Sequence, residues 1–344
     1  MRRTYHRLRV AEVVEETTEA RSLVLAVPPA LAADFAYRPG QFLTVRVPAA
    51  AGDAVARCYS LSSSPYTDAQ PKITVKRVPD GRVSNWICDN VRAGTELDLL
   101  PPSGSFTPAT LDADLVLLAA GSGITPVMSI VKSVLSHGTG HLALLYSNRD
   151  ADSVIFADEL GRLATAHPER LTVVHWLDDI HGIPTAAELS APLRPYADRD
   201  AFVCGPPAYL DVACQALAGV GVPTERVHVE RFESIVEDDL SIVDSGLASP
   251  EDATSPVVEV TLDGQTVRLP WPPGSRLLDV LIAAGLNPPY SCRQGICGAC
   301  ACRMLTGKVE LAHNEVLEDE DFADGYILAC QALPRSDEVS VTYS

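Results

Sequence analysis

Four cysteines constrain this chain more than any other feature of it. Cys292, Cys297 and Cys300 stand in the run Cys-Arg-Gln-Gly-Ile-Cys-Gly-Ala-Cys, a C-x4-C-x2-C spacing, and Cys330 follows 30 residues later. Four thiolates at that spacing are the ligand set of a 2Fe-2S cluster. Gly295 and Gly298 let the loop turn around an inorganic core without a Cβ in the way, and they free backbone N–H groups to point at sulfur. Zinc knuckles use two C-x2-C pairs, so zinc fits this run less well. The 291 residues ahead of the loop must then account for the source of the electron.

At 344 residues the chain is longer than a single core accommodates, and two or three domains are expected. No run approaches 18 uninterrupted apolar residues, and the opening MRRTYHRLRV has no apolar stretch behind its arginines. The expectation is a cytoplasmic protein without membrane insertion. The remaining cysteines, Cys58, Cys88, Cys204, Cys214 and Cys302, are odd in number and irregular in spacing, which reads as reduced thiols. Cys302, two residues past Cys300, is either a decoy ligand or a buried structural thiol. The net charge of -18 is uneven: residues 1–232 hold 26 acids against 21 bases, residues 233–344 hold 19 against 6. Such a field repels nucleic acid and steers a basic protein partner toward the acidic third of the chain. The run Glu318-Asp319-Glu320-Asp321 by itself reads only as a solubilising surface.

Residues 1–108 read as an antiparallel β-barrel, with short strands at 8–14, 21–27, 42–47, 57–62, 72–78 and 96–100 and one helix near 83–91. Within it, Arg57-Cys58-Tyr59-Ser60 precedes Gly81-Arg82-Val83-Ser84 by 21 residues. On a strand Arg57 and Tyr59 share one face. An arginine neutralises a diphosphate, a tyrosine ring packs on a flat isoalloxazine, and a serine hydroxyl reaches a ring nitrogen. Gly81 to Ser84 would open the helix, with free N–H groups toward the same phosphate. Taken singly, a strand tyrosine is as often a packing residue.

Residues 109–232 change to strands alternating with helices, the pattern of a parallel α/β sheet. Strands are expected at 114–120, 141–147, 171–177, 201–204 and 227–232, with helices from 124 to about 136, at 154–166 and at 207–218. Gly121-x-Gly123-x-x-Pro126 lies between strand and helix, where glycines allow close approach and a proline in the first turn loses no hydrogen bond. Cys204-Gly205-Pro206 closes another strand at the same carboxyl edge, where open α/β sheets bind ligands. Arg149 offers a charge for a 2′-phosphate, but Asp150 beside it weakens that site, and NADH is the expected donor over NADPH. No Ser/His/Asp or His/Cys catalytic arrangement is legible, and no histidine spacing suggests a metal.

Residues 233–255 hold seven acids and no bases, the composition of a linker. Residues 256–344 then read strand, Asp263-Gly264 turn, strand at 266–269, helix at 275–284 ended by Gly285, the cysteine loop, and a return through 327–331. Phe232, at the end of the preceding strand, reads by itself as a core residue.

Arg57-x-Tyr59-Ser60, the later Gly81-x-x-Ser84, Arg38-Pro39-Gly40-Gln41-Phe42, Gly121-x-Gly123-x-x-Pro126 and Cys204-Gly205-Pro206 together resemble the ferredoxin-NADP reductase superfamily, and the last module resembles plant-type ferredoxins. The resemblance implies that Arg57, Tyr59 and Ser60 line FAD (FMN being the alternative) and that Gly81, Arg82, Val83 and Ser84 hold its phosphates. It implies that Gly121 and Gly123 serve the NADH or NADPH pyrophosphate, that Thr125 and Cys204 approach the nicotinamide beside Pro126, Gly205 and Pro206, and that Phe232 covers the flavin. The domain order is similar to that of reductase components of multicomponent oxygenases, including those acting on steroid rings, aromatic substrates and phenylacetyl-CoA. The implied fold is multidomain: a β-barrel flavin domain, an α/β nicotinamide domain and an α+β β-grasp ferredoxin domain. The implied activity is NAD(P)H oxidation with Ser60 and Thr125 positioning the two rings and Cys204 packing at their junction. Single electrons then pass through the 2Fe-2S cluster to a terminal oxygenase. The alternative from a different class is a redox-sensing iron–sulfur module whose nicotinamide fold has lost its ligand.

Overall fold

Alternating burial sets the first sheet. In β1 (His6–Glu15) Leu8 and Val10 are buried while Arg7 and Arg9 face out, as a pleated strand with one core face requires. The structure, a computed structural model, describes residues 5–48, 54–79, 81–231, 256–262, 265–286, 288, 290, 293, 295, 297–317 and 319–343, with backbone only at 54, 55, 319 and 320. The expected 233–255 linker, Phe232, Cys292 and the Asp263-Gly264 turn lie outside the described residues.

With β2 (Ala20–Ala26), β3 (Phe42–Pro48), β4 (Ala54–Ser60), β5 (Lys72–Lys76) and β6 (Glu96–Ser103), β1 forms an antiparallel sheet in the order β4-β3-β6-β1-β2-β5. An antiparallel bridge between Leu61 and Ile73 brings its two edges together. The helix α1 (Arg82–Asn90) buries Val83, Ile87 and Cys88 against the same core as Leu43, Val45 and Leu99.

The second sheet is parallel, in the order β11-β10-β7-β8-β9, built from β7 (Leu115–Ala120), β8 (Leu142–Asn148), β9 (Leu171–Leu177), β10 (Asp200–Gly205) and β11 (Val227–Arg231). Every residue of β7 is buried, because helices cover both faces. Leu115, Leu117 and Ala119 enter one core with α2 (Ile124–His137) and α3 (Ala157–Ala166). Val116, Leu118 and Ala120 enter the other with α5 (Ala186–Leu193) and α6 (Pro207–Gly219), while the short α4 (Asp178–His181) follows β9. Two sequence expectations need correcting. The helix expected at 154–166 starts at Ala157, because Phe156 sits in the left-handed region at φ 63° and breaks the turn before it. The helix α5 was not anticipated. It is started by a capping box in which Thr185 accepts from the Glu188 N–H and Glu188 accepts from the Thr185 N–H.

The third unit pairs β12 (Val257–Leu262) with β13 (Gln265–Pro270), β14 (Ala301–Thr306), β16 (Tyr326–Leu328) and β18 (Glu338–Thr342) in the order β13-β12-β18-β14-β16. A separate ribbon joins β15 (Val309–Leu311) to β17 (Ala332–Pro334), and α8 (Asp319–Ala323) precedes β16. The helix expected at 275–284 is shorter, α7 (Leu277–Ala283), because the backbone is still extended at Arg276, with φ -76° and ψ 142°, where Ser275 accepts from the fully buried Trp271 indole at 2.8 Å. Gly285, at φ 74°, ends it as expected.

Polar contacts join the first two units. Ser129 on α2 donates to the Ser63 carbonyl at 2.6 Å, Ser133 bonds Ser64 at 2.9 Å, and Lys132 bridges Asp68 and Glu159 at 2.8 Å each. Gly40, at φ 90°, fits beneath Phe106, since a Cβ there would lie 1.9 Å from the Phe106 carbonyl oxygen. The middle of α2 is therefore held in fixed relation to the segment following β4.

Candidate functional site

Pairing of β3 with β4 places Leu43 opposite Tyr59 and Phe42 opposite Ser60, so Arg57 and Tyr59 lie on one face and Cys58 and Ser60 on the other. Tyr59 packs its ring partly into the first core, and burial pushes its hydroxyl pKa up against the opposing pull of Arg57. Ser60 is almost fully buried. At α1 the N-cap is Gly81, with no side chain capping the helix, so N–H groups of the first turn remain for a ligand. Gly81 is fixed sterically: a Cβ there would meet Ser84 Oγ at 2.4 Å. An uncapped helix start with Arg57 in the same domain fits a phosphate-bearing flavin.

At the parallel sheet, Gly121–Gly123 forms a tight turn between β7 and α2, anchored by the Tyr146 hydroxyl donating to the Gly121 carbonyl at 3.0 Å. Gly123 lies against the Cys204-Gly205 peptide, and Thr125 donates to the Ser122 carbonyl at 3.0 Å. Pro126 is buried in the first turn of α2, and Pro206 is the N-cap of α6. Gly205 is packed between Ala120 and Tyr209, with a Cβ position 3.0 Å from each. Cys204 is fully buried in the α2-side core and burial pushes its thiol well up, so its contribution is neutral packing under the turn.

Beyond that turn, Asp178 Oδ1 is buried without a hydrogen-bond partner, and Ser147 Oγ, both amide atoms of Asn148 and the Tyr209 hydroxyl are buried in poor hydrogen-bond geometry, Tyr209 beside Ser147 and Asn148 beside Tyr146. All stand at or beside the carboxyl edge of the sheet, at the ends of β8 and β9 and the start of α6. Poorly satisfied buried polar atoms are costly, and their grouping at this edge fits a polar ligand such as a nucleotide. Burial, with Asp179 adjoining, raises the Asp178 carboxyl pKa. Sequence reasoning missed Asp178 and Tyr209, whose only signal is their position just past strand ends. Arg149 is engaged by Glu19 across the domain boundary at 2.8 Å.

In the third unit Cys297, Cys300 and Cys330 are all buried. N–H groups face their sulfurs: Ala299 N lies 3.5 Å from Cys297 Sγ, Cys330 N lies 3.5 Å from Cys300 Sγ, and the Gln331 amide lies 3.6 Å from Cys330 Sγ. Gly295 at φ 78° and Gly298 at φ 71° supply the left-handed turns that the loop needs. A Cβ on Gly295 would meet the His313 carbonyl oxygen at 2.7 Å. This donor set, thiols with N–H groups directed at them, fits an iron–sulfur cluster. Cys302 sits in the core of the unit, its thiol pushed up to about 12 by burial, which favours a structural thiol. The loop also touches β3 and β4: Phe42, Cys297 and Ala299 form one buried cluster with Cys58 packed against it.

Fold and site together define a nicotinamide-dependent flavin reductase that carries its own iron–sulfur domain. The model of the oxidoreductase FAD-binding domain matches residues 7–107, that of the oxidoreductase NAD-binding domain residues 117–215, and that of the 2Fe-2S iron-sulfur cluster binding domain residues 260–335. The ferredoxin reductase component of 3-ketosteroid-9-alpha-monooxygenase from Rhodococcus rhodochrous is 52% identical, over 98% of this chain and 96% of that protein. A subunit of the 1,2-phenylacetyl-CoA epoxidase of Escherichia coli strain K12 is 32% identical, over 99% of this chain and 98% of that protein. Phthalate dioxygenase reductase shares the fold, with a TM-score of 0.58 at 23% identity over 98% of both chains. The chain belongs to the family of ferredoxin reductase components of oxygenase systems, with FAD, NAD and 2Fe-2S domains. No helix among the described residues is long and apolar enough to cross a membrane.

Proposed function

We propose that this reductase delivers electrons from NADH, through FAD and the cluster held by Cys292, Cys297, Cys300 and Cys330, to a terminal oxygenase of steroid-ring hydroxylation. The observation that carries the relay is the packing of Cys297 and Ala299 on Phe42 and Cys58, one residue from Tyr59. In this reading residues 1–108 form a flavin-binding barrel, 109–232 the nicotinamide domain and 256–344 a β-grasp ferredoxin module joined through the 233–255 linker. The bridge Leu61–Ile73 and the mixed sheet around β18 support those descriptions.

When bound, the flavin would supply the conversion of one hydride into two single electrons, and a cluster held by the four cysteines would carry them one at a time. Arg57 and the first turn of α1, with Gly81, Arg82, Val83 and Ser84, neutralise and orient its phosphates, Tyr59 lies along it, and Ser60 reaches the ring. Gly121 and Gly123 admit the dinucleotide pyrophosphate to the backbone, and Thr125, locked to Ser122, orients the nicotinamide against the flavin. Cys204, Gly205 and Pro206 form the floor of that junction, and Phe232 would cover the flavin. The protein's contribution is placement, which in well-oriented pairs is worth several orders of magnitude in rate.

NADH is favoured over NADPH because Glu19 occupies Arg149, and Asp178 places a carboxylate where a 2′-phosphate would be repelled. The steroid assignment rests on the 52% identity to the ketosteroid system, against 32% for the phenylacetyl-CoA system. An anaerobic NADH titration tests the relay: flavin and iron–sulfur bands should both bleach. Purified steroid and phenylacetyl-CoA oxygenase components, offered in turn, test the partner, and only the former should be reduced rapidly. Reduction of neither would remove the oxygenase assignment.

A further inference from the structure

One face of β3, β4 and β6 is turned toward the iron–sulfur domain. Register pairs Phe42 with Ser60, Thr44 with Cys58 and Leu100, and Arg46 with Asp98, and directly opposed residues share a face. Leu100 belongs to β6 of the flavin domain, yet it is fully buried inside the hydrophobic core of the iron–sulfur domain. Tyr5, just ahead of β1, packs against that same core. Its ring lies 4.0 Å from the Arg46 guanidinium carbon, and its hydroxyl lies 3.8 Å from where a Cβ on Gly298 would be. Arg46 is fixed in turn by Asp98 at 3.3 Å, and Asp98 also holds Arg7 at 3.2 Å. Beside this group, Cys58 and Phe42 meet Cys297 and Ala299.

We infer that Tyr5, clamped by Arg46, is a positioning residue that seats the iron–sulfur domain on the flavin domain and holds Cys297 against Cys58 for electron transfer. This rests on the flavin-to-cluster relay proposed above and adds the surface across which it runs. Among the described residues Tyr5 and Leu100 enter the core of the iron–sulfur domain from the flavin side, and Phe42 and Cys58 beside them meet the cysteine loop at Cys297 and Ala299, so a displaced Tyr5 shifts the electron acceptor. The burial that raises the Tyr5 hydroxyl pKa agrees with a ring enclosed between the two domains. Each crossing would move one electron from a reduced flavin to the cluster, which takes one at a time; the first would pass on to the oxygenase before the second crossed, and the flavin would release its protons to solvent.

The test uses the full-length holoprotein with Tyr5→Ala, Tyr5→Phe and Arg46→Met. Anaerobic stopped-flow with NADH separates flavin reduction from the later reduction of the cluster, and small-angle X-ray scattering reads domain docking without chemistry. Tyr5→Ala should leave the first phase unchanged, slow the second by about tenfold or more, and enlarge the radius of gyration. Arg46→Met should act in the same direction, and Tyr5→Phe, which keeps the ring over Arg46, should restore wild-type behaviour. An unchanged second phase and an unchanged radius in Tyr5→Ala would overturn the inference. If the cluster of the unmodified protein were not reduced after the flavin, the relay would fall, while the scattering comparison would still decide whether Tyr5 seats the domain.

Discussion

Gly123 stands so close to Cys204 that a Cβ on it would lie 2.1 Å from the Cys204 carbonyl oxygen and 2.8 Å from the Gly205 nitrogen. Two motifs 80 residues apart in sequence are thus one structural object, a turn pressed onto a strand end. Gly123→Ala must push the turn away from β10. We expect a loss of about 1–3 kcal/mol in stability, as for other overpacking changes. NADH binding should also weaken by at least about tenfold, the equivalent of ~1.4 kcal/mol. Urea unfolding and an NADH titration of the variant check both.

Lys132 bridges Asp68 of the flavin domain and Glu159 of α3 with its side chain only 10% exposed. Burial lowers its pKa, but the bonds to Asp68 and Glu159 outweigh that, and the ammonium is held above its usual range. Lys132→Met takes the counter-charge from Asp68 and leaves Glu159 to Lys72, 3.6 Å away. The cost should be about 1–3 kcal/mol, between the ranges for exposed and buried pairs. Flavin reduction by NADH should slow as well, because α2 carries Thr125. Calorimetry and stopped-flow on the same variant measure the two effects.

Asp114 joins the starts of β7 and β8, accepting from the His141 N–H at 2.8 Å and pairing with Arg199 at 3.3 Å. The His141 N–H bond, with the His141 ring and Arg199, holds its carboxyl below the usual aspartate range. A depressed folded pKa means stabilisation that is present above the unfolded value, about 3.9, and is lost as pH falls through the still lower folded value. Asp114→Asn should therefore be less stable than wild type at pH 7, and the gap should close toward pH 3. A gap of equal size at both pH values would rule out the carboxylate as its source.

Glu19 and Arg149 meet across the domain boundary. Glu19→Gln frees the guanidinium for a 2′-phosphate, and the NADPH/NADH ratio of kcat/KM should rise severalfold. Arg149→Ala in the same background should cancel the gain.

The legible parts of this molecule were those whose constraint is local. A ligand spacing such as C-x4-C-x2-C, or a glycine beside a strand end such as Gly123, announces itself within a few residues, and so did the domain order and most strands. The helix α5 was missed because its segment, Ala-Ala-Glu-Leu-Ser-Ala-Pro-Leu, carries a proline and little periodicity, and its start depends on the Thr185–Glu188 box. Asp178 and Tyr209 were missed because a poorly satisfied buried polar atom can be recognised only once its surroundings are folded. The seat made by Tyr5, Arg46 and Leu100 depends on β-pairing register and on a contact between residues nearly 300 positions apart. No window of sequence contains it.

The order of carriers is tested most directly by anaerobic stopped-flow of the Cys297→Ser holoprotein with NADH. The account predicts that the flavin is still reduced by NADH while electron delivery to an added oxygenase or one-electron acceptor through the cluster is abolished. Loss of flavin reduction together with electron delivery would contradict it, as would undiminished delivery.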